Sequence, residues 1–189
     1  MSFFKMQNPQ AARRFFLARS GLVLSGAAVA LLAGRDALAA KSPSGHAGDV
    51  KILNTALGAE LEAIAAYGVG AQSGLLQKPV LDVAVQFQGH HKAHAEVLAK
   101  TIEQLGGKPV AAKDNYSFPT DQLKSQADVL RFAAGLEKGA VSAYLGAVPL
   151  FRSRDLSRAA ASILGDEAMH WAVLRQVLGE PPVPVAFMV

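Results

Sequence analysis

The residues that could do chemistry in this chain are concentrated in two pairs of matching segments. Three of the five histidines, His90, His91 and His94, crowd into GHHKAHAEVL at 89–98, and a fourth, His170, sits in a segment of the same design. His91-Lys-Ala-His94-Ala-Glu-Val-Leu98 and Glu167-Ala-Met-His170-Trp-Ala-Val-Leu174 both read (His/Glu)-x-x-His-x-x-Val-Leu. Glu60 to Tyr67 and Glu137 to Tyr144 both read Glu-x-x-Ala-(Ile/Val)-x-Ala-Tyr. The two offsets, 77 and 76 residues, are nearly one register, as expected of two copies of one unit in tandem. With no cysteine in the chain, any metal site has to be built from His, Asp and Glu. Glu60, His91, His94, Glu137, Glu167 and His170 are the candidate ligands: three carboxylates and three imidazoles.

These residues need elements to position them. Beyond Lys41-Ser42-Pro43-Ser44-Gly45, a linker by composition, the chain is rich in Ala and Leu and lacks period-2 alternation, so the pattern predicts four helices. The first covers about Gly48 to Gln72. The second opens near Pro79, a residue suited to a first helical turn, and stops at Gly106-Gly107. The third opens at Ser125 and ends near Pro149; the fourth covers about Asp155 to Leu178, closed by Gly179 and Pro181-Pro182. Short turns make each consecutive pair an antiparallel hairpin. The roughly eighteen residues of GGKPVAAKDNYSFPTDQL between the hairpins suit a crossover running the length of a bundle.

On each helix the candidate ligands fall inside the apolar stripe. Leu53, Leu57, Glu60, Ile64 and Tyr67 follow 3-4 spacing, as do Leu130, Ala134, Glu137, Val141 and Tyr144. Phe87, His91, His94 and Leu98 form one further stripe and Ile163, Glu167, His170 and Leu174 the other. An isolated ionised carboxylate in such a core costs several kcal/mol, and three repel one another. A divalent cation relieves both and accounts for the imidazoles. His90 lies one position off its stripe and reads as exposed or as a support to the ligands. Glu62 reads as solvated surface, Met169 and Trp171 as core or interface residues, and His46, in the linker, as having no role.

At these residues the chain resembles the ferritin-like superfamily, the four-helix di-iron carboxylate proteins in which one Glu from each of two helices joins a Glu-x-x-His from each of the other two. Glu60-Leu-x-Ala-Ile-x-x-Tyr67 and Asp166-Glu167-x-x-His170-Trp171 look like bacterioferritin motifs, Glu137 takes the third-helix position, and His94 through Leu105-Gly106-Gly107-x-Pro109 resembles the end of the second helix. The exported layout looks closer still to the secreted ferritin-like, desiccation-related proteins. The resemblance implies an all-α antiparallel four-helix bundle over 48–179 with a long crossover, followed by an extended tail at 180–189. It also implies that Tyr67 and Tyr144 hydrogen-bond site carboxylates. One position departs from the pattern: His91 stands where the family has a bridging Glu, leaving Glu167 as the only bridge, because a neutral imidazole binds one metal through one nitrogen. The ligand mix is compatible with iron, singly or as a di-iron pair, and with zinc, manganese or copper. Lys92 occupies the place of the haem-ligating methionine of bacterioferritins, so no haem is indicated.

The N-terminus has the layout of an export signal: paired Arg13-Arg14, an apolar run from Gly21 to Gly34, and Ala37-Leu38-Ala39 as a cleavage site. Twin arginines resemble the signal of folded-protein export, which implies a periplasmic or secreted location and no stable membrane insertion after cleavage at 1–39. Those 39 residues carry five of the nineteen basic and one of the fifteen acidic residues, so the remainder carries fourteen of each. The basic pI therefore belongs to the signal and gives no support for nucleic-acid binding. The expected function is an exported metalloprotein whose core site oxidises ferrous iron or reacts with O2 or peroxide. The alternative is a non-enzymatic metal-binding or stress-protection module with a structural or degenerate site. A homo-oligomer is compatible with either.

Overall fold

The computed structural model describes residues 46–188. The expected signal at 1–39 and the residues up to 45 lie outside the described residues. Four helices make up the fold: α1 (Ala47–Gln72), α2 (Lys78–Gln104), α3 (Gln126–Ala147) and α4 (Arg154–Val177), with 3-10 turns at Thr120–Gln122 and Val148–Leu150. No strand occurs among the described residues. The architecture is the all-α four-helix bundle that the repeat and the stripes predict. No described helix is long and apolar enough to cross a membrane.

Local chemistry sets the helix ends. Ser125 caps α3, its Oγ accepting the Asp128 N–H at 3.2 Å and donating to Asp128 Oδ2 at 2.7 Å, a reciprocal cap worth about 1 kcal/mol. Asp49, buried in the first turn of α1, accepts the backbone N–H groups of Arg152 (2.9 Å) and Ser153 (3.3 Å), tying the start of α1 to the start of α4. At the end of α2, Gly106 takes a φ of +76° that favours glycine, and a Cβ on Gly107 would lie 2.6 Å from Val50 Cγ1. The second hairpin can start only after the chain has recrossed the bundle. Asn54 pins that crossover, donating to Lys108 O (3.1 Å) and accepting from Val110 N (2.8 Å), and Phe118 packs edge-on against Phe132 of α3.

α1 packs chiefly on α2 and α3 on α4, and the two hairpins close around a core split in two. One apolar cluster includes Leu53, Leu57, Leu98, Ile102, Tyr144, Leu156 and Ile163; the other includes Tyr67, Phe87, Leu130, Trp171 and Leu174. Between them lies a layer of buried acids and imidazoles. The chain after α4 folds back: Arg175 Nε donates to Pro181 O at 2.8 Å, and Met188 packs against the second cluster.

Two readings from sequence are corrected. His46 is not a linker residue: it is the N-cap of α1, its backbone carbonyl accepting the Val50 N–H, and it is buried. Glu62 is half-buried, since it lines the rim of a cavity between α1 and α3. Of the two residues read as core or interface, Trp171 is core and Met169 is exposed.

Candidate metal centre

Each helix carries its ligands into the polar layer. Glu60, His91, Glu137, Glu167 and His170 are all at least 97 % buried, and only His94 keeps a partly exposed edge. His91 is the pivot. Its Nδ1 lies 2.8 Å from Glu60 Oε2 and its Nε2 lies 3.3 Å from Glu137 Oε1, so one ring spans the space between α1 and α3. Glu167 spans the same space from the opposite helix, with Oε1 at 3.2 Å from His94 Nδ1 and Oε2 at 3.4 Å from His170 Nδ1.

Two four-residue groups result. Glu60, His91, His94 and Glu167 each present a ligand atom within 4.8 Å of the others, and so do His91, Glu137, Glu167 and His170. All six sequence-predicted ligands are brought together, three from each hairpin. His91, like Glu167, belongs to both groups. Its ring is flat and buried at mid-layer, so its two nitrogens necessarily face opposite ways.

The tyrosines tie the halves together. Tyr67 on α1 donates its hydroxyl to Glu137 Oε1 on α3, and Tyr144 on α3 donates to Glu60 Oε1 on α1 at 2.6 Å. Each tyrosine lies seven residues beyond the glutamate of its own helix. The reciprocity requires α1 and α3 to run antiparallel.

Asp166 is the participant that sequence reasoning passed over. Its Oδ2 lies 3.3 Å from His170 Nε2, 3.4 Å from His94 Nε2 and 3.1 Å from His90 Nδ1. A carboxylate on the outer nitrogen of an imidazole turns the inner nitrogen toward a metal. His90, half-exposed, also lies 2.9 Å from His170 Nε2, so it supports ligands rather than joining the two groups above. The repeat held the clue: Asp166 is the counterpart of His90, 76 residues on, just as Glu167 is the counterpart of His91.

Charge in this layer is self-compensating. Burial works against ionised His91, yet hydrogen bonds to Glu137 and Glu60 outweigh it and lift the pKa to about 9. His94 is lifted to about 11, against burial, by Asp166, Glu167 and Glu60; His170 reaches about 11 through Asp166, Glu137 and Glu167. Burial raises Glu60 and Glu137, but the imidazoles beside them hold both below the ordinary carboxylate range. Asp166 is lowered in the same way by His170 and His94. Glu167 alone moves up, since burial and the nearby Glu137 and Glu60 outweigh its imidazole neighbours. Both tyrosine hydroxyls are pushed up by burial and by the carboxylates they face, so they remain donors.

The fit to metal can be judged on unsatisfied atoms. Glu167 Oε1 and Oε2, Glu137 Oε2, His94 Nδ1 and His170 Nδ1 are buried and make no hydrogen bond. Four of the five lie at ion-pair distance from one another, His94 Nδ1 from Glu167 Oε1 at 3.2 Å and His170 Nδ1 from Glu167 Oε2 at 3.4 Å, without hydrogen-bond geometry, and a cation among them would satisfy them together. All five sit on residues of the two groups. Oxygen and imidazole nitrogen in this proportion suit first-row divalent metals. A cavity of about 690 Å³ between α1 and α3 reaches Glu60, His91 and Glu137, giving the layer one approach from solvent.

A sequence model of the ferritin-like domain family matches residues 48–180. The chain belongs to that family. No curated protein matches the sequence. Among solved structures, the ferritin-like bundle is similar to a conserved hypothetical protein, rv2844, from Mycobacterium tuberculosis, at 25 % identity and a TM-score of 0.65 over 77 % of this chain and 99 % of that one. It is also similar to a protein described as a ferritin-like, diiron-carboxylate protein from Bacillus anthracis strain Ames, at 21 % identity and a TM-score of 0.60 over 68 % of this chain and 94 % of that one. The likeness to the Bacillus protein extends to the fold.

Proposed function

We propose that this ferritin-like protein holds a pair of metal ions, which Glu60, His91, His94, Glu137, Glu167 and His170 would ligate. The observation that carries the reading is the sharing of Glu167 and His91 by two complete ligand groups. Iron is the metal it favours, because three carboxylates suit a hard redox cation and the Bacillus anthracis structure is described as a diiron-carboxylate protein. When bound, such a pair supplies two-electron chemistry toward O2 or peroxide, as in the oxidation of ferrous iron.

The chain's own residues have defined tasks. Tyr67 and Tyr144 hold Glu137 and Glu60 at fixed rotamers by donating to one oxygen of each. Asp166 orients His94 and His170 through their outer nitrogens. The cavity between α1 and α3 supports chemistry over a purely structural ion, since a structural site is closed to solvent on every side. Phe87, stacked on His170 at 4.0 Å between ring centroids, shields the opposite flank from water. The reading includes export to the periplasm or beyond, which rests on Arg13-Arg14 and the apolar run behind them.

The test is metal analysis of the protein purified from its exported compartment, followed by addition of ferrous iron and O2. Close to two irons per chain and rapid oxidation support the proposal. One zinc per chain without oxidation supports a structural or stress-protection role instead.

A further inference from the structure

A third convergence of ligand atoms lies where α2 meets α4, on the outer side of the polar layer, and it shares only His170 with the two core groups. His90 Nδ1 lies 3.1 Å from Asp166 Oδ2 and 2.9 Å from His170 Nε2, and the remaining edge of the triangle, Asp166 Oδ2 to His170 Nε2, is 3.3 Å.

Hydrogen bonding does not account for this triangle. A ring nitrogen either carries a proton or offers a lone pair. With Asp166 ionised, two protonated nitrogens oppose each other and two unprotonated ones do the same. One of each leaves the carboxylate facing a lone pair. One edge is repulsive in every arrangement, whereas a cation satisfies all three atoms at once. At ligand distances of about 2.0–2.2 Å, neighbouring ligand atoms stand about 3.0 Å apart in octahedral and about 3.4 Å apart in tetrahedral coordination. The three observed edges have the dimensions of one face of such a polyhedron.

The side chains of His90 and Asp166 are 38 % and 23 % exposed, against 2 % for His170, so the open positions of that polyhedron face water. His170 stands between the outer face and the centre: its Nε2 belongs to the triangle, while its Nδ1 lies 3.5 Å from Glu137 Oε1 and 3.4 Å from Glu167 Oε2. A neutral imidazole binds one metal through one nitrogen, so outer binding and inner ligation alternate at this ring. That is the behaviour of a place of passage. The repeat puts it there: His90 and Asp166 are counterparts 76 residues apart, and each reaches the outer nitrogen of a histidine in the opposite hairpin, His170 and His94 respectively. We propose that His90, Asp166 and His170 form a capture site for divalent transition-metal cations, from which an ion passes inward to the six-ligand centre. The inference rests on the metal-centre reading and adds to it the point of entry.

The experiment is stopped-flow uptake of Co2+ by the full, metal-free chain, followed by the visible absorption of the bound ion, in the parent, His90→Gln and His90→Asp. Glutamine keeps a hydrogen-bonding side chain of similar reach but ligates metal poorly; aspartate restores a ligand of the type found at the counterpart position. In the parent the rate should level off as cobalt rises, because ions are held before they pass inward. His90→Gln should be at least tenfold slower at low cobalt, with a rate linear in concentration, and His90→Asp should recover most of the loss. Equal rates in the parent and His90→Gln, or no recovery in His90→Asp, overturn the proposal. So does an equilibrium stoichiometry in His90→Gln that falls in step with the rate, since His90 then only supports the centre. Gly139→Leu, which adds bulk to the cavity between α1 and α3, controls for the other route, and slowing by it in place of His90→Gln is equally fatal. A parent that takes up no cobalt defeats the metal-centre reading and this inference with it; uptake of near two ions at the same rate in the parent and His90→Gln defeats the inference alone.

Discussion

Tyr67 donates its hydroxyl to Glu137 across the bundle, from the helix of one repeat to the ligand of the other. Tyr144 and Glu60 make the same contact in reverse, so each half of the site is held by a residue of the opposite hairpin. Such a clasp makes the geometry of the centre depend on both hairpins being docked. Replacing Tyr67 by Phe leaves a buried carboxylate with one donor fewer, and the expected loss is about 1–3 kcal/mol in urea unfolding of the metal-free protein. Tyr144→Phe is expected to cost a similar amount, and the two effects to add less than fully if Glu60 and Glu137 are coupled through His91.

His91 decides whether two ions are held together. Its Nδ1 lies beside Glu60 and its Nε2 beside Glu137, so His91→Ala removes one ligand and the contact that links the two halves of the layer. Metal analysis after equilibration with ferrous iron should fall from near two ions per chain to one or fewer. His91→Glu places a carboxylate at the same point, and should restore two ions with at most a small change in helical content.

Asp166 touches the outer nitrogen of both His94 and His170. Asp166→Asn keeps the shape but loses the charge, and supporting residues of this kind are typically worth about 10–100-fold in metal affinity. Competition against a chromophoric chelator should show a drop in that range, with unfolding free energy changed far less. Unchanged affinity would remove Asp166 from the site.

The raised imidazoles fix the direction of pH effects. A group whose pKa is higher folded than unfolded stabilises the fold fully below its unfolded value, near 6.5, and that stabilisation is lost as pH passes the folded value. With His91 lifted to about 9 and His94 and His170 to about 11, the metal-free protein should lose stability steadily from about pH 7 to 11. A metal needs these nitrogens free of protons, so loading near neutral pH should release protons into a weakly buffered solution, and affinity should rise with pH. A flat stability profile for the metal-free protein over that window would contradict the ion-paired layer.

Much of this was legible in the amino-acid order. Four helices followed from 3-4 spacing and from Ser125, Gly106 and Gly179 at their ends, because capping and periodicity are local. The six candidate ligands stood out because acids and imidazoles inside apolar stripes are costly, and because a tandem repeat placed them twice. What a one-dimensional reading could not supply was orientation. That His91 faces two ways, that Asp166 gathers three imidazoles, and that His46 is buried all depend on which helices sit opposite, a matter of rigid-body docking. The cavity is of the same kind: Gly135, Gly139 and Gly146 look like scattered helix weakeners in the chain. They become one wall only when α1 stands across from α3 at a distance set by side chains elsewhere in the core. The sequence by itself determined which residues would be driven inward, through burial energetics that act residue by residue. Only the tertiary structure decided what each of them meets there, because contacts between helices depend on the packing of the whole bundle.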